Sequence, residues 1–134
     1  MLRAQMLERC PGAEFVDIGT LWNHRLLINE RGVATIVPSE DSFVRGVVWG
    51  VSPQDIETLD QKEGVRRGRY HRVTTKILLE NGQSISAEAY IAEHAAPGAP
   101  REGYLEKLEA GAIEHGLPGD YVSSIQALGR ARGG

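Results

Sequence analysis

A β-hairpin signature between residues 70 and 91 constrains this chain more than any other feature of its sequence. Two strand-forming segments, 70–79 and 84–91, flank Asn81-Gly82, a pair that tolerates positive φ at both positions of a tight turn. Apolar side chains alternate with polar ones along the second segment, at Ile85, Ala87, Ala89 and Ile91. Because side chains of a strand point alternately to its two faces, this pattern predicts an antiparallel pair with one buried face.

A helix start precedes the hairpin, at the segment S-P-Q-D of residues 52–55. Serine can accept a free backbone N–H, proline fits the first helical position, and aspartate favours the positive end of the helix dipole. The helix is expected to end near Glu63, because Gly64 can adopt a left-handed cap. Apolar periodicity predicts three further helices, at residues 2–9, 104–115 and 121–128.

The remaining strands are predicted from apolar and β-branched runs. An extended segment at 15–28 should break near Gly19, and a run at 33–37 should stop at Pro38 before another at 43–51. Strands dominate the first two thirds and helices close the chain, which indicates an α+β protein. Several short strands that contain glycine favour a curved sheet or a small mixed β-barrel with short helices around it.

The length, composition, net charge and cysteine count of the chain restrict the class of protein to which it belongs. A chain of 134 residues suits one domain, predicted at 1–128, followed by a mobile tail at 129–134. With 41% hydrophobic and 25% charged residues, it can bury a core. A net charge of -3 argues against nucleic acid as the main partner. One cysteine allows no intrachain disulfide, and no apolar run approaches the roughly 20 residues that span a bilayer, so we expect a cytoplasmic protein, monomeric or homodimeric.

Several common chemistries have no signature here. The chain lacks a phosphate-binding loop, a dinucleotide fingerprint and a nucleophile elbow. Its four histidines lie far apart in sequence, without a partner at metal-ligand spacing, so we expect no metal, although residues distant in sequence can still meet in a fold. Cys10 lies on an apolar helix face, where a lone cysteine is a core residue about nine times in ten.

One stretch carries a specific resemblance. The segment GVVWGVSPQDIETLDQKEGVRRGRY, residues 46–70, resembles the central motif of the γ-glutamylcyclotransferase family: a strand ending in tryptophan, a short helix, then L-D-x-x-E-G-V-x-x-G-x-Y. Further similarities follow the family order, from R-C-P at 9–11 through A-T-I at 34–36 to G-A-x-E-x-G-L-P-x-x-Y at 111–121. The resemblance implies a small β-barrel with helices around it and no cofactor. It also implies release of 5-oxoproline when the α-amine of a γ-glutamyl compound attacks its own γ-carbonyl.

The resemblance also implies the site residues. Glu63 matches the acid/base glutamate of E-G-V, and Tyr70, Tyr90 and Tyr104 match tyrosines near the pocket. Met1 and Leu2 stand where the family's first helix follows its first strand, and they are expected to contact the substrate. The alternative for each tyrosine is a half-buried ring with its hydroxyl in water. An arginine cluster at 66–72 either attracts an anionic substrate or forms a solvated loop.

The residue type of Glu63 agrees with that chemistry. An ammonium group attacks a carbonyl only after losing a proton, and a nearby carboxylate can accept that proton and return one to the leaving amine. Ring closure is intramolecular, so orientation supplies much of the acceleration. Taken alone, Glu63 reads as a solvated glutamate, although the C-terminal end of a helix disfavours its charge. The surrounding motif favours the catalytic interpretation.

The family's first strand, which ends in Y-G-S-N and supplies backbone amides to the γ-glutamyl group, has no counterpart here. Two interpretations stay open. In the first, which we favour, the natural protein begins about a dozen residues upstream, enough for a strand and a turn. In the second, the sheet keeps an unpaired edge that invites dimerisation. Without that strand, we expect weak or absent activity, and the alternative function is a non-catalytic small-ligand-binding module or an inactive truncated homologue on the same fold.

Overall fold

A computed structural model describes residues 3–133, with side chains through Leu128. The α+β class predicted from the sequence is confirmed. The elements in chain order are α1 (Arg3–Arg9), β1 (Glu14–Ile28), β2 (Ala34–Gly50), α2 (Pro53–Glu63), β3 (Tyr70–Leu79), β4 (Ser84–Ala92), α3 (Tyr104–Glu114) and α4 (Gly119–Gly133). A single 3-10 turn, Val65–Arg67, connects α2 to β3. No helix in this described part is long and apolar enough to cross a membrane.

The four strands form one antiparallel sheet in the order β2-β1-β3-β4. The inner pair, β1 and β3, meets only at Gly19↔Leu79 and Thr20↔Leu78. A side chain at Gly19 would collide with Ile77, so glycine permits the close approach of these strands. Within the described residues, backbone pairing does not close the sheet into the expected barrel. The edge strands nevertheless approach each other, since the Ala92 N–H donates to Thr35 Oγ1 at 2.9 Å.

Two local predictions for the strands were wrong. β1 continues through Gly19, and β2 continues through Pro38, which pairs with His24. β2 lies at the edge of the sheet, where a residue without an N–H is tolerated. Residues 39–42 then bulge out opposite Asn23 before pairing resumes. Asn23 and Asp41 have φ of 60° and 62°, and their short polar side chains suit this left-handed geometry.

The hairpin of β3 and β4 and the helix α2 form as predicted, with one difference in the turn. Ser52 and Asp55 make a reciprocal capping box, and Pro53 begins α2. In the hairpin only Gly82 takes positive φ, at 93°. The connection is therefore a three-residue loop closed by the Leu79 N–H and the Gln83 carbonyl, and not a two-residue turn with two left-handed residues.

Two apolar clusters hold the layers together. The larger one joins the sheet to α3 and α4 through Ile18, Ala112, Leu117, Tyr121 and Ile125. The smaller one joins α1 to α2 through Cys10, Ala13 and Leu59. Cys10 is fully buried, and burial raises the pKa of its thiol, as expected for a core residue. α4 runs to Gly133, beyond the predicted 128, while the side chains of the expected mobile tail lie outside the described residues.

Candidate active site

Glu63 ends α2, and its position follows from the local sequence. Gly64 takes a left-handed conformation, with φ 71°, and its N–H reaches back to the Asp60 and Gln61 carbonyls. The Glu63 side chain is 28% exposed, and its Oε1 lies 3.5 Å from Nη1 of Arg9. Burial raises the pKa of the Glu63 carboxyl, and the charge of Arg9 opposes that rise. Glu63 is therefore a partly desolvated acid with one cationic partner.

The structure places Glu63 within electrostatic reach of all three predicted tyrosines. Burial is the largest cause of the raised pKa of Tyr70, Tyr90 and Tyr104, and the Glu63 charge raises each of them further. The pKa of Tyr70 rises to about 12. The three phenols therefore stay protonated at neutral pH and serve as hydrogen-bonding groups.

Two of these tyrosines bind one backbone unit at the edge of the sheet. The Ala34 N–H donates to Tyr104 Oη at 3.0 Å, and Tyr70 Oη donates to the Ala34 carbonyl at 3.2 Å. Because each hydroxyl meets only one of the two backbone groups, and no other partner among the described residues, each keeps unused hydrogen-bonding capacity there. Tyr104 retains its own proton, and Tyr70 retains an acceptor lone pair. We refer to Ala34, Tyr70 and Tyr104 as the Ala34 clamp.

The third tyrosine is held by a carboxylate. Tyr90 Oη donates to Asp60 Oδ1 at 2.6 Å, and Nη1 of Arg72 lies 3.3 Å from Asp60 Oδ2. Asp60 was not predicted as a site residue. It lies three residues before Glu63 on α2, and residues at that spacing share one helix face, so the L-D-x-x-E motif contained the signal.

The arginine cluster and the two N-terminal residues stay predictions. In the arginine cluster, Arg66, Arg67 and Arg69 are exposed, and Arg72 is occupied by Asp60. Met1 and Leu2, the other expected substrate contacts, lie outside the described residues. Arg9 was missed as the partner of Glu63, because the two lie far apart in the sequence and are brought together only by the packing of α1 on α2.

Two surface grooves, of about 350 and 190 Å³, lie away from Glu63. Both are lined by Phe43, Tyr121 and Ser124, and neither includes Glu63 or the three tyrosines. The size of a groove therefore does not identify the candidate site. The site is identified by its partly buried ionisable groups, whose pKa values are raised and whose charges act on one another. No group of three His, Cys, Asp or Glu side chains suited to a metal occurs among the described residues.

Sequence comparisons relate this constellation to known proteins. A profile of the AIG2-like family matches residues 43–125, which include Glu63, the three tyrosines and Asp60. The chain is 31% identical to a Mus musculus protein described as gamma-glutamylcyclotransferase, over 90% of this chain and 69% of that protein. It is 32% identical to the Homo sapiens protein of the same description, over 72% of this chain and 52% of that protein.

Structural comparison points the same way. A solved structure of a gamma-glutamyl cyclotransferase superposes with a TM-score of 0.87 and 28% identity, over 94% of this chain and 80% of that one. YkqA from Bacillus subtilis superposes with a TM-score of 0.81 at 14% identity, over 96% of this chain and 48% of that one, which supports the fold alone.

Proposed function

Because this chain belongs to the AIG2-like, γ-glutamylcyclotransferase family, we propose that it cyclises the γ-glutamyl group of small γ-glutamyl compounds to 5-oxoproline. In this reaction the substrate's α-amine attacks its γ-carbonyl, the amide C–N bond breaks, and the former amide nitrogen leaves as an amine. The observation that carries the proposal is a partly buried Glu63 carboxyl whose pKa is raised beside three protonated tyrosines.

Glu63 is suited to move the protons of that reaction. Burial raises the pKa of the Glu63 carboxyl and so makes its carboxylate a stronger base. The charge of Arg9, at 3.5 Å, limits this rise in pKa and favours the deprotonated form. The carboxylate takes a proton from the substrate ammonium, which frees the amine to attack. The resulting carboxylic acid protonates the leaving nitrogen, and the regenerated carboxylate takes the second proton that the attacking nitrogen loses as the ring closes. That proton passes to the departing amine, which leaves as an ammonium ion, so Glu63 returns to its initial state.

The Ala34 clamp supplies hydrogen-bonding groups beside that base. The unused proton of Tyr104 can be donated to a substrate oxygen, and the free lone pair of Tyr70 can accept from a substrate N–H. Such contacts hold the amine and the γ-carbonyl of one molecule together. Orientation matters here because the attack is intramolecular, and a correctly held pair of reacting atoms removes much of the entropic barrier.

The decisive experiment compares Glu63→Gln with a matched control on the same helix. Glutamine keeps the shape of Glu63 and cannot accept the proton, so 5-oxoproline release from γ-glutamyl-alanine should fall by about 10²- to 10⁴-fold. Glu57→Gln makes the same change at an exposed position of α2 and should leave the rate unaltered. Thermal unfolding of both variants checks that the fold is kept.

Two outcomes would count against the assignment. Normal turnover by Glu63→Gln would remove Glu63 from the chemistry. A wild-type chain that binds γ-glutamyl-alanine and releases no 5-oxoproline would favour the alternative function, a ligand-binding module on the same fold.

A further inference from the structure

The carboxylate of Asp60 joins α2 to both strands of the hairpin of β3 and β4. Arg72 and Tyr90 pair with each other in the register of these strands, so their side chains lie side by side on one face. Tyr90 Oη donates to Asp60 Oδ1 at 2.6 Å, and Arg72 Nη1 lies 3.3 Å from Asp60 Oδ2. One residue of α2 therefore contacts β3 and β4 at the same level of the hairpin.

The end of α2 has a second contact with the hairpin. The Arg69 N–H donates to the Gly64 carbonyl at 3.1 Å, and a Cβ atom at Gly64 would lie 3.0 Å from Cδ of Arg69. Gly64 directly follows Glu63, and Arg69 directly precedes Tyr70. The residue next to the proposed base is therefore bound to the residue next to one tyrosine of the Ala34 clamp.

These two contacts set the direction of α2 along β3. Asp60 and Glu63 are three residues apart, so they share a helix face and are separated by about 4.5 Å along the axis. Tyr70 and Arg72 are two residues apart, so they share a strand face and are separated by about 7 Å. Asp60 is held at Arg72, and the chain just after Glu63 is held at the start of β3. Glu63 therefore lies toward the Tyr70 end of this face.

Two further contacts of this part of α2 hold its position less strictly. Leu59 packs against Cys10 and Ala13, which follow α1, and apolar packing is non-directional. The ion pair of Glu63 with Arg9 joins two partly exposed side chains, and such pairs contribute little. The directional contacts with the hairpin therefore determine where the end of α2 lies.

We propose that Asp60 is a positioning residue, which fixes the distance between the carboxylate of Glu63 and the hydroxyl of Tyr70. The inference rests on the proposed function, because it concerns the geometry of the same site. Asp60 does not exchange a proton with the substrate, since its two oxygens are engaged by Arg72 and Tyr90. These two contacts come from neighbouring strands, so either of them alone should keep Asp60 in place, and only the loss of both should release it.

Steady-state kinetics with γ-glutamyl-alanine test the inference through single and double variants. Tyr90→Phe and Arg72→Met should each lower kcat by less than about threefold, because one contact with Asp60 remains. The double variant and Asp60→Ala should lower kcat by about 10- to 10²-fold, since a displacement of about 1 Å in a reacting group can cost up to about 10²-fold. KM should stay within about twofold of the wild-type value in all four, because only interactions made in the transition state are lost.

Two further variants separate positioning from a general loss of stability. Asp60→Asn keeps an oxygen that accepts from Tyr90, so its kcat should stay within about threefold of the wild-type value. Glu57→Ala removes an exposed carboxylate from the same helix and should change neither kcat nor KM. Urea unfolding of each variant shows whether kcat follows the free energy of unfolding.

Amide hydrogen exchange reports the position of α2 without any turnover. The Arg69 N–H, which donates to the Gly64 carbonyl, should exchange at least about tenfold faster in Asp60→Ala than in the wild type, because the end of α2 opens more often. Glu57→Ala should leave that exchange rate unchanged.

Four results would overturn the inference: a wild-type kcat in Asp60→Ala, a double variant no slower than its single variants, a loss of kcat/KM that lies mainly in KM, or a kcat that falls in proportion to stability across all variants. The third would mean that Asp60 contacts the substrate, and the fourth that its role is structural alone. If the wild-type chain releases no 5-oxoproline, the proposed function fails and hydrogen exchange alone decides. An Arg69 N–H that exchanges no faster in Asp60→Ala would then overturn the placement of Glu63 by Asp60, and faster exchange would support it.

Discussion

Tyrosine hydroxyls bind the backbone of β2 at two places, and the two places differ in what they leave unused. At the first place, the hydroxyl of Tyr121 makes both contacts with Arg45: it accepts the Arg45 N–H at 2.9 Å and donates to the Arg45 carbonyl at 3.3 Å. At Ala34, the same two backbone groups are divided between Tyr104 and Tyr70. We refer to the first arrangement as the Arg45 clamp. The Arg45 clamp uses its hydroxyl proton internally, whereas the Ala34 clamp keeps a proton and a lone pair for a further partner.

The two clamps also differ in their surroundings, which are apolar around Tyr121 and charged around Tyr70 and Tyr104. Tyr121 belongs to the larger apolar cluster, and burial raises its pKa while Arg45 opposes the rise. Tyr104 and Tyr70 lie near Glu63, whose charge raises the pKa of both. The groove of about 350 Å³ lies beside the Arg45 clamp, yet the coupled ionisable groups lie beside the Ala34 clamp. In this chain, shape and chemistry therefore point to different places, and chemistry agrees with the family motif.

Removing one hydroxyl from each clamp gives the largest contrast. Tyr104→Phe leaves the Ala34 N–H without its partner, and Tyr121→Phe leaves both the N–H and the carbonyl of Arg45 without theirs. Both variants should lose about 1–3 kcal/mol of unfolding free energy, with Tyr121→Phe losing the more. Only Tyr104→Phe also removes a proton available to substrate, and its kcat/KM should fall about tenfold. Urea unfolding and 5-oxoproline release measure the two effects independently.

The control lies within the pair, since each variant makes the same chemical change. If kcat/KM falls equally in Tyr121→Phe, activity follows stability and the comparison between the clamps fails. If Tyr104→Phe keeps full activity, its spare proton is not used by the substrate.

The sequence predicts which side chains surround the Ala34 clamp, but it does not predict the backbone group that they bind. Capping signals fix α2 and place Glu63 at its end, and the family motif marks Tyr70 and Tyr104. The role of Ala34 was not predictable, because its N–H and carbonyl become available only when β2 reaches the edge of the sheet. The prediction that a strand stops at Pro38 was also wrong, because β2 lies at the edge of the sheet, where a residue without a backbone N–H is tolerated.

Arg9→Gln sharpens the comparison by removing the charge beside Glu63, whose own charge acts on the tyrosines of the Ala34 clamp. The cation lowers the pKa of Glu63, so its removal lets burial raise that pKa further. A general base has to be deprotonated, and the acidic limb of the pH profile of kcat/KM should therefore move to higher pH. At neutral pH the loss should be at most about fivefold, because a partly exposed ion pair contributes about 1 kcal/mol or less.

The control for Arg9→Gln is Arg67→Gln, which removes an equal charge from an exposed position. Its pH profile should match that of the wild type. A shift of the acidic limb of Arg9→Gln to lower pH would mean that Arg9 does not stabilise the Glu63 carboxylate, and the ion pair would then have no part in tuning the base.

Tyr90→Phe should give the smallest effect, and it tests whether spare hydrogen-bonding capacity is what matters. The Tyr90 proton is already given to Asp60 at 2.6 Å, so it is not free for a substrate, although the Glu63 charge acts on Tyr90 as it does on the clamp tyrosines. Asp60 keeps Arg72 as a partner and is 28% exposed, so water can replace the lost hydroxyl. We expect a loss of about 1 kcal/mol in stability and less than about threefold in kcat/KM. A tenfold loss of kcat/KM at unchanged stability would support the sequence-based prediction that Tyr90 contacts the substrate, and proximity to Glu63 would then matter more than an unused proton.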